Sequence, residues 1–427
     1  MSTGITAVRG MNDILPSDMA MHAYIVSMVG QIVGQYGYRQ IGLPLVESTE
    51  LFKRSIGDVT DIVEKEMYTF LDRNQQSLSL RPEGTASCVR AGIQHGLFYN
   101  QLQRLWYQGP MFRYERPQKG RYRQFYQLGV EAYGMADPAI DAEIILLSAT
   151  LLSHLGLQDT VCLKLNSLGD QTARSAYKKQ LITYFMDYKD RLTPAELKRL
   201  QENPLRILDS KNSELQDIIQ QSPKITDHLN PESSDHFASL QQQLVALSIP
   251  FDLTPSLVRG LDYYDNTVFE WVTDALGAQS AVLAGGRYDH LVEQLGGPIT
   301  PAIGFAAGIE RLSLLCTNVN ETVGRLDAYL VVDKCAQNGV LLLADRIRAA
   351  LPSLTLETDL SQSSLKAQFK RAQRSNARFA IVRGEQEQRA DQLTIKPLKD
   401  HAQPVTLPFE DAINTLSLAL GIITSTK

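Results

Sequence analysis

Cysteine is scarce. Four residues in 427 (Cys88, Cys162, Cys316 and Cys335) lie far apart, without a C-x-x-C pair or a histidine at ligand spacing. That pattern argues against a disulfide framework or a zinc ribbon, and reads as small buried hydrophobes in a reducing, cytoplasmic compartment. Long apolar runs are also missing. No stretch is long enough to span a bilayer, and residues 1–20 carry no positive-then-apolar leader pattern, so no membrane partner is expected. A P-loop lysine pattern and a dinucleotide fingerprint in its strand–turn–helix setting are absent too. Positive charge is in slight deficit, with 42 Lys+Arg against 47 Asp+Glu and a net charge of −5. An indiscriminate nucleic-acid coat is thereby disfavoured, while focused basic patches remain open. What is left is a globular composition, 44% hydrophobic and 21% charged, on a chain long enough for two or three domains.

The most informative stretch runs from Gln103 to Glu131 and holds six Lys/Arg against two acids. It reads as two strands joined by a loop. Alternation puts Arg113 and Glu115 on one face of the first strand, and Phe125, Gln127 and Glu131 on one face of the second. The connection Arg116-Pro117-Gln118-Lys119-Gly120-Arg121 suits an exposed loop. Arginine, two carboxylates, an amide and an aromatic ring on one face describe the floor of a pocket for something anionic, planar and polar. A surface hairpin carrying idle charge is the plain alternative.

Elsewhere the spacing predicts a helix through Met21, Ile25, Val29, Ile32 and Tyr36, ended by Gly37. A strand from Arg39 to Glu47 follows, interrupted by Pro44 and therefore at an edge or bent. The helix reads as core, and the edge strand beside it offers a dimer surface. Strands are expected at Met67–Leu71 and Leu78–Arg81, then Thr85 as N-cap of a helix whose free amides would suit an anion. Residues 170–252 read as a helical insertion without strand alternation. Strands return at Thr267–Val272 and Ser280–Ala284, with Gly285-Gly286 as a turn. Past Arg325, strands and helices alternate as in a small α/β domain. Between Lys366 and Arg389 that domain has seven Lys/Arg and two Glu, a solvated face or a nucleic-acid footprint.

Several of these stretches resemble a known family. Phe112-Arg113-Tyr114-Glu115, the arginine-rich loop and Phe125 resemble motif 2 of class II aminoacyl-tRNA synthetases. Gly304 to Arg311 resembles motif 3, and the helix and strand around Pro44 resemble motif 1. Leu257-Val-Arg-Gly-Leu-Asp-Tyr-Tyr264 and Ala284-Gly-Gly-Arg-Tyr-Asp289 resemble the two motifs particular to histidyl-tRNA synthetases. Arg81-Pro-Glu-Gly-Thr-Ala86 fits the bacterial-type form. The resemblance spans nearly the whole chain and implies an α+β fold: an antiparallel active-site sheet flanked by helices, not a Rossmann domain. It implies a catalytic domain over residues 1–325, interrupted by the helical insertion at 170–252, and an α/β anticodon-binding domain over 326–427. A homodimer formed through motif 1 is implied as well.

The implied reaction joins L-histidine and ATP, with Mg²⁺, into histidyl-adenylate and pyrophosphate, then passes histidine to the 3′ end of tRNA(His). By motif match Arg113 and Arg259 clamp the α-phosphate and are the catalytic pair, a task suited to a planar, permanently charged fork. Arg121 and Arg311 reach the outer phosphates. Phe125 and the stem of Arg311 sandwich adenine, and Glu115 meets its amino group. Glu83, Thr85 and Gln127 hold the α-ammonium, Glu131 and Tyr264 the imidazole, and Tyr263 with Gly285-Gly286 shapes the wall. Arg116 and Gln118 face the acceptor end of the tRNA, and the C-terminal basic cluster its anticodon stem-loop. No metal ligands are assigned. The rival reading is a synthetase-like regulatory subunit that binds histidine and acylates nothing; such proteins typically lack the anticodon domain and lose catalytic arginines, whereas Arg113, Arg259 and Arg311 are all here.

Overall fold

The structure is a computed structural model that describes residues 4–57, 60–210, 212–277, 281–316, 324–399 and 402–422. Ser280, expected to open a strand, and the side chain of Cys335 lie outside the described residues. The chain forms two compact units, Met1–Asn320 and Glu321–Lys427.

The first unit is built on an eight-stranded sheet. Its order is Arg39–Gln40, Gln103–Phe112, Gln124–Tyr133, Ala302–Gly308, Ala281–Arg287, Asp265–Val272, Cys162–Ser167 and Asp252–Leu253. The six inner strands pair antiparallel, and only the two-residue edge strands run parallel to their neighbours. Helix Pro16–Gln35 starts with proline at its first turn, where the missing N–H costs nothing, and buries Met21, Ile25, Val29, Ile32 and Val33. Helix Pro138–His154 repeats the device, with the Asp137 carboxylate accepting from Ala139 N at 2.8 Å. It packs over the two central strands Ala302–Gly308 and Ala281–Arg287.

Pro44 divides the strand expected from Arg39 to Glu47. Arg39–Gln40 forms the sheet edge, and Val46–Ser48 joins a separate three-stranded sheet with Ser77–Leu80 and Thr69–Leu71. The buried Arg81 guanidinium holds the bend, donating to Leu43 O at 3.0 Å, Pro44 O at 3.3 Å and Pro110 O at 3.0 Å. Gly285-Gly286 is not a turn but lies inside strand Ala281–Arg287. A Cβ on Gly285 would stand 2.3 Å from Gly304 O, so the glycine is there for close strand packing. Strand Cys162–Ser167 was not expected, and Cys162 is exposed rather than core.

Helices Gln171–Met186, Pro194–Glu202 and Pro231–Ala246 with short helical turns fill the region 170–251, and no strand occurs there among the described residues. Its apolar faces, including Tyr177, Leu181, Phe185 and Ile207, share one core with the sheet. The second unit is a five-stranded sheet with helices Val340–Ala350, Leu365–Arg374 and Phe409–Leu420. Strand Val405–Pro408 and helix Glu385–Ala390 add to the expected elements. No described helix is long and apolar enough to cross a membrane.

Candidate active site

Antiparallel register decides what meets on the sheet. Glu131 stands opposite Leu105 on one side and Gly304 on the other; Gly129 stands opposite Tyr107 and Ala306. Opposed residues share a face, so the carboxylate and the phenol project together. Two glycines leave the room they need. A Cβ on Gly304 would fall 1.8 Å from Glu131 Oε2, and one on Gly129 2.2 Å from the Tyr107 ring.

Three hydroxyls fix the Glu131 carboxylate, which is 1% exposed. Thr85 Oγ1 donates to Oε1 at 2.7 Å, Tyr107 OH donates to the same oxygen at 3.0 Å, and Tyr288 OH donates to Oε2. Burial pushes the carboxyl up to about 7, against the pull of those three donors. Thr85 is not the helix N-cap. Helix Thr85–Gln94 begins at it, with Gly84 in the cap position. The first amides are taken by the neighbouring Glu83 carboxylate, which accepts from Thr85 N at 2.6 Å and Ala86 N at 3.0 Å. The anion at this helix start is thus part of the chain, and its burial raises its pKa.

Arg113 and Glu115 lie beyond the strand, which ends at Phe112, in the connection. Arg113 Nε donates to Pro82 O at 2.8 Å, and its guanidinium carbon lies 5.3 Å from the Phe125 ring centroid. Glu115, nearly buried, pairs with Arg121 and lies 3.9 Å from Arg113 Nη1. Arg259 Nη1 donates to Glu270 Oε1 at 3.1 Å, with the Tyr264 ring centroid 5.4 Å from its guanidinium carbon. Arg311 Nη1 donates to Ala281 O at 2.5 Å and Nε to Gly120 O at 3.3 Å. Burial, then the charges of Arg121 and Arg113, lower the Arg311 pKa, as expected where cations converge.

Most of these side chains line one cavity of about 540 Å³, with Tyr107 and Tyr288 behind its wall rather than on it. Arg113, Arg121, Arg259 and Arg311 border it together with Glu115 and Phe125. Glu83, Thr85, Gln127, Glu131, Tyr263 and Tyr264 border it as well. Arg116 and Gln118 do not; both are exposed in the connecting loop, where Gln118 and Arg121 bridge through their backbones. Sequence reasoning missed Tyr107 and Tyr288 on Glu131, and Glu270 on Arg259. Tyr288 lies inside the Ala284–Asp289 stretch that resembles a histidine-specific motif, but Tyr107 and Glu270 become legible only with strand register. A buried carboxyl with a raised pKa also gives a test. Between its ordinary value of 4.5 and about 7, folded Glu131 holds a proton that the unfolded chain has lost. Its contribution to stability is full below 4.5 and is lost as pH rises through about 7. Glu131→Gln is therefore expected to unfold at a relatively higher temperature than the parent at pH 8 than at pH 5. A melting-temperature difference independent of pH would contradict this.

The mainly antiparallel sheet, the helix packed behind it and a pocket joining arginines to buried carboxylates are those of a class II aminoacyl-tRNA synthetase catalytic domain. The family model described as histidyl-tRNA synthetase matches residues 10–312, and that of an anticodon binding domain matches residues 330–417. The chain is similar to the crystal structure of apo S. aureus histidyl-tRNA synthetase, with 34% identity, 97% of this chain and 100% of that one covered, and a TM-score of 0.77. The histidyl-tRNA synthetase of Nostoc sp. PCC 7120 shares the fold at 18% identity, with 98% and 100% covered and a TM-score of 0.73. So does a Bacillus halodurans C protein described as an ATP phosphoribosyltransferase regulatory subunit/histidyl-tRNA synthetase, at 22% identity, 90% and 99% covered, TM-score 0.65. The chain belongs to the histidyl-tRNA synthetase family and is an aminoacyl-tRNA ligase, specifically a histidine–tRNA ligase.

Proposed function

We propose that this cavity is where L-histidine is activated by ATP and from which it is passed to tRNA(His). The observation that carries the reading is that four arginines and the Glu131–Tyr264 pair border the same cavity. One end suits phosphates; the other suits an imidazole. In the first step a carboxylate oxygen of histidine attacks the α-phosphorus, and the bond to the pyrophosphate oxygen breaks. Charge develops on the phosphoryl oxygens, so preorganised cations lower the barrier. Arg113 and Arg259 are assigned to the α-phosphate, and Arg121 and Arg311 to the outer ones. Phe125 and the Arg311 stem take adenine, with Glu115 on its amino group; Arg121, which pairs with Glu115 here, turns to phosphate when ATP binds.

At the other end, Glu83, Thr85 and Gln127 take the α-ammonium. Gln127 Oε1 is buried without a partner, which favours a ligand donor there. Glu131 and Tyr264 take the imidazole nitrogens, and Tyr263 closes the wall. A site that bonds both nitrogens rejects apolar side chains because its own buried groups would go unpaired. Mg²⁺ belongs to the ATP substrate, between its outer phosphates, a setting in which it keeps waters and needs at most a carboxylate or two. Of the cavity carboxylates, Glu270 and Glu310 are not assigned to adenine or histidine; Glu270 accepts from Arg259 and Glu310 from Tyr126 N at 2.7 Å. Arg116 and Gln118 are assigned to the tRNA acceptor end and the basic face of 326–427 to its anticodon stem-loop, with 1–325 as catalytic domain and 170–252 as its insertion. A cytoplasmic homodimer is proposed too. Leu45, Val46, Phe70 and Leu71, exposed on or beside the small three-stranded sheet, support an apolar seam in the motif 1 region.

The test is to charge bulk tRNA with each labelled amino acid. Histidine alone is expected to be transferred, and histidine binding without transfer would favour the regulatory-subunit reading. That alternative is the weaker, because the anticodon-binding match and all four arginines are present. In a separate assay, pyrophosphate exchange by Glu131→Gln is expected to lose selectivity for histidine over other amino acids by about tenfold or more. An unchanged ratio would remove Glu131 from the imidazole site.

A further inference from the structure

The loop that carries Arg259 and Tyr264 has little backbone anchoring. Leu257 N bonds Thr254 O at 2.8 Å, and Asp262 N bonds Ile56 O at 3.2 Å. Between those points, among the described residues, no backbone–backbone hydrogen bond reaches Val258 to Leu261. No side chain fills the space beside the Gly260 Cα, where a Cβ would meet no atom within 4 Å, although Val258 and Leu261 on either side pack on the core. A glycine with open space beside its Cα can adopt backbone angles closed to other residues. It sits next to Arg259.

Three side chains of the 170–252 segment supply what the backbone does not. Arg206 Nη2 donates to Gly260 O at 2.6 Å. Asn203 Nδ2 donates to Asp262 Oδ1 at 2.9 Å, and Arg174 Nη1 donates to Tyr264 O. Arg206 is itself aimed by Asp61, whose Oδ2 lies 3.2 Å from Nη1. The contacts fall at successive points along the loop, and each comes from a different place in the segment: helix Gln171–Met186, the end of Pro194–Glu202, and the following turn.

We propose that the helical insertion is part of the activation machinery through Arg206, a positioning residue that holds the Gly260 carbonyl and so sets where the Arg259 guanidinium points. The inference rests on the α-phosphate role proposed for Arg259. Asn203 and Arg174 brace the same loop further along the chain, at Asp262 and Tyr264. The insertion thereby reports its own position to the reaction centre: movement of these helices moves the cation that meets the phosphate.

The test uses the full chain in pyrophosphate exchange. Arg206→Met is expected to lower kcat about tenfold, because misplacing a positioned group by an ångström is enough for that. KM for histidine stays within about twofold, since Glu131 and its hydroxyls are untouched and the Tyr264 carbonyl keeps its bond from Arg174. Arg206→Lys, which can still reach one carbonyl, restores most of the loss, an outcome that a general structural role would not give. Added to Arg259→Ala, Arg206→Met has no further effect on kcat. A kcat within twofold of the parent in Arg206→Met, or a tenfold drop that persists on the Arg259→Ala background, overturns the proposal. A parental rate in Arg259→Ala overturns the assignment of Arg259 itself, and the proposal with it. Should Arg206→Met fail to fold, Arg206→Leu, which likewise has no donor, carries the same reading.

Discussion

Arg259→His is expected to slow formation of histidyl-adenylate by about 10²–10³-fold, the typical cost of deleting one preorganised donor to a developing oxyanion. The guanidinium borders the cavity, is anchored by Glu270 at 3.1 Å and keeps one buried nitrogen, Nε, without a partner. Imidazole is shorter, offers no fork and is largely neutral at assay pH. Glu270 would then be left as an uncompensated carboxylate facing the phosphates, which adds to the loss. Most of the histidine end, Glu131 with Thr85, Tyr107 and Tyr288, makes no contact with Arg259, and Tyr264, whose ring lies beside the guanidinium, keeps its carbonyl on Arg174, so affinity for histidine should be preserved. Single-turnover adenylate formation in a rapid-quench experiment reads the step directly. A parental rate constant would remove Arg259 from the chemistry, and a raised histidine KM at parental rate would move it to ground-state binding.

The arrangement also shows which physical signals a sequence carries. Alternation was enough to align Phe125, Gln127 and Glu131 on one face, because strand Gln124–Tyr133 pairs with both neighbours without a bulge. It failed one step earlier. Arg113 and Glu115 keep the same rhythm, yet the strand stops at Phe112, and the cations reach the pocket from a loop whose path is fixed by Pro82 O and by Arg123 on Gly10. Local propensity misled at Gly285-Gly286, where the glycines answer to a carbonyl of the neighbouring strand rather than to a bend. It misled again at Thr85, a good cap by type, because the Glu83 carboxylate occupies the amides first. Strand Cys162–Ser167 is six residues long with Lys164 and Asn166 interleaved, too short and polar for its burial to be visible in isolation.

Convergence is a different matter. The twelve cavity-lining residues assigned above come from segments that spacing alone cannot bring together, and only the resemblance to a family linked them in advance. What no motif indicated was the support behind them. Tyr107 and Glu270 do not repeat at a diagnostic interval; they are defined by who stands opposite whom in the sheet, while Tyr288 sits in a quoted motif that does not reveal its bond to Glu131. The same holds for the links between the helical insertion and the Arg259 loop. These second contacts depend on tertiary register, so they appear only once the strands are paired.

The largest stability effect is expected at one such hidden contact. Asp141, on helix Pro138–His154, and Arg287, at the end of strand Ala281–Arg287, are both 0% exposed. Arg287 Nε donates to Asp141 Oδ1 at 2.8 Å, and Nη2 lies 2.7 Å from the same oxygen. Thr267 Oγ1 donates to Oδ2 at 2.7 Å, and His236 Nε2 lies 2.8 Å from it. The remaining guanidinium protons go to Asp289 and to the carbonyls of Met135, Ala136 and Asp137. Asp141→Leu leaves that cation buried without its main counter-charge and is expected to cost about 3–5 kcal/mol. Arg287→Met added to it removes the stranded charge and should recover part of the loss, leaving the three carbonyls short of donors. Urea unfolding of the two variants and the pair separates these terms. A single variant within about 1 kcal/mol of the parent would mean that the ion pair does not hold the strand. Tyr288 follows Arg287 directly and donates to Glu131, so the single variant should also bind histidine more weakly, and the double variant should regain affinity in step with stability.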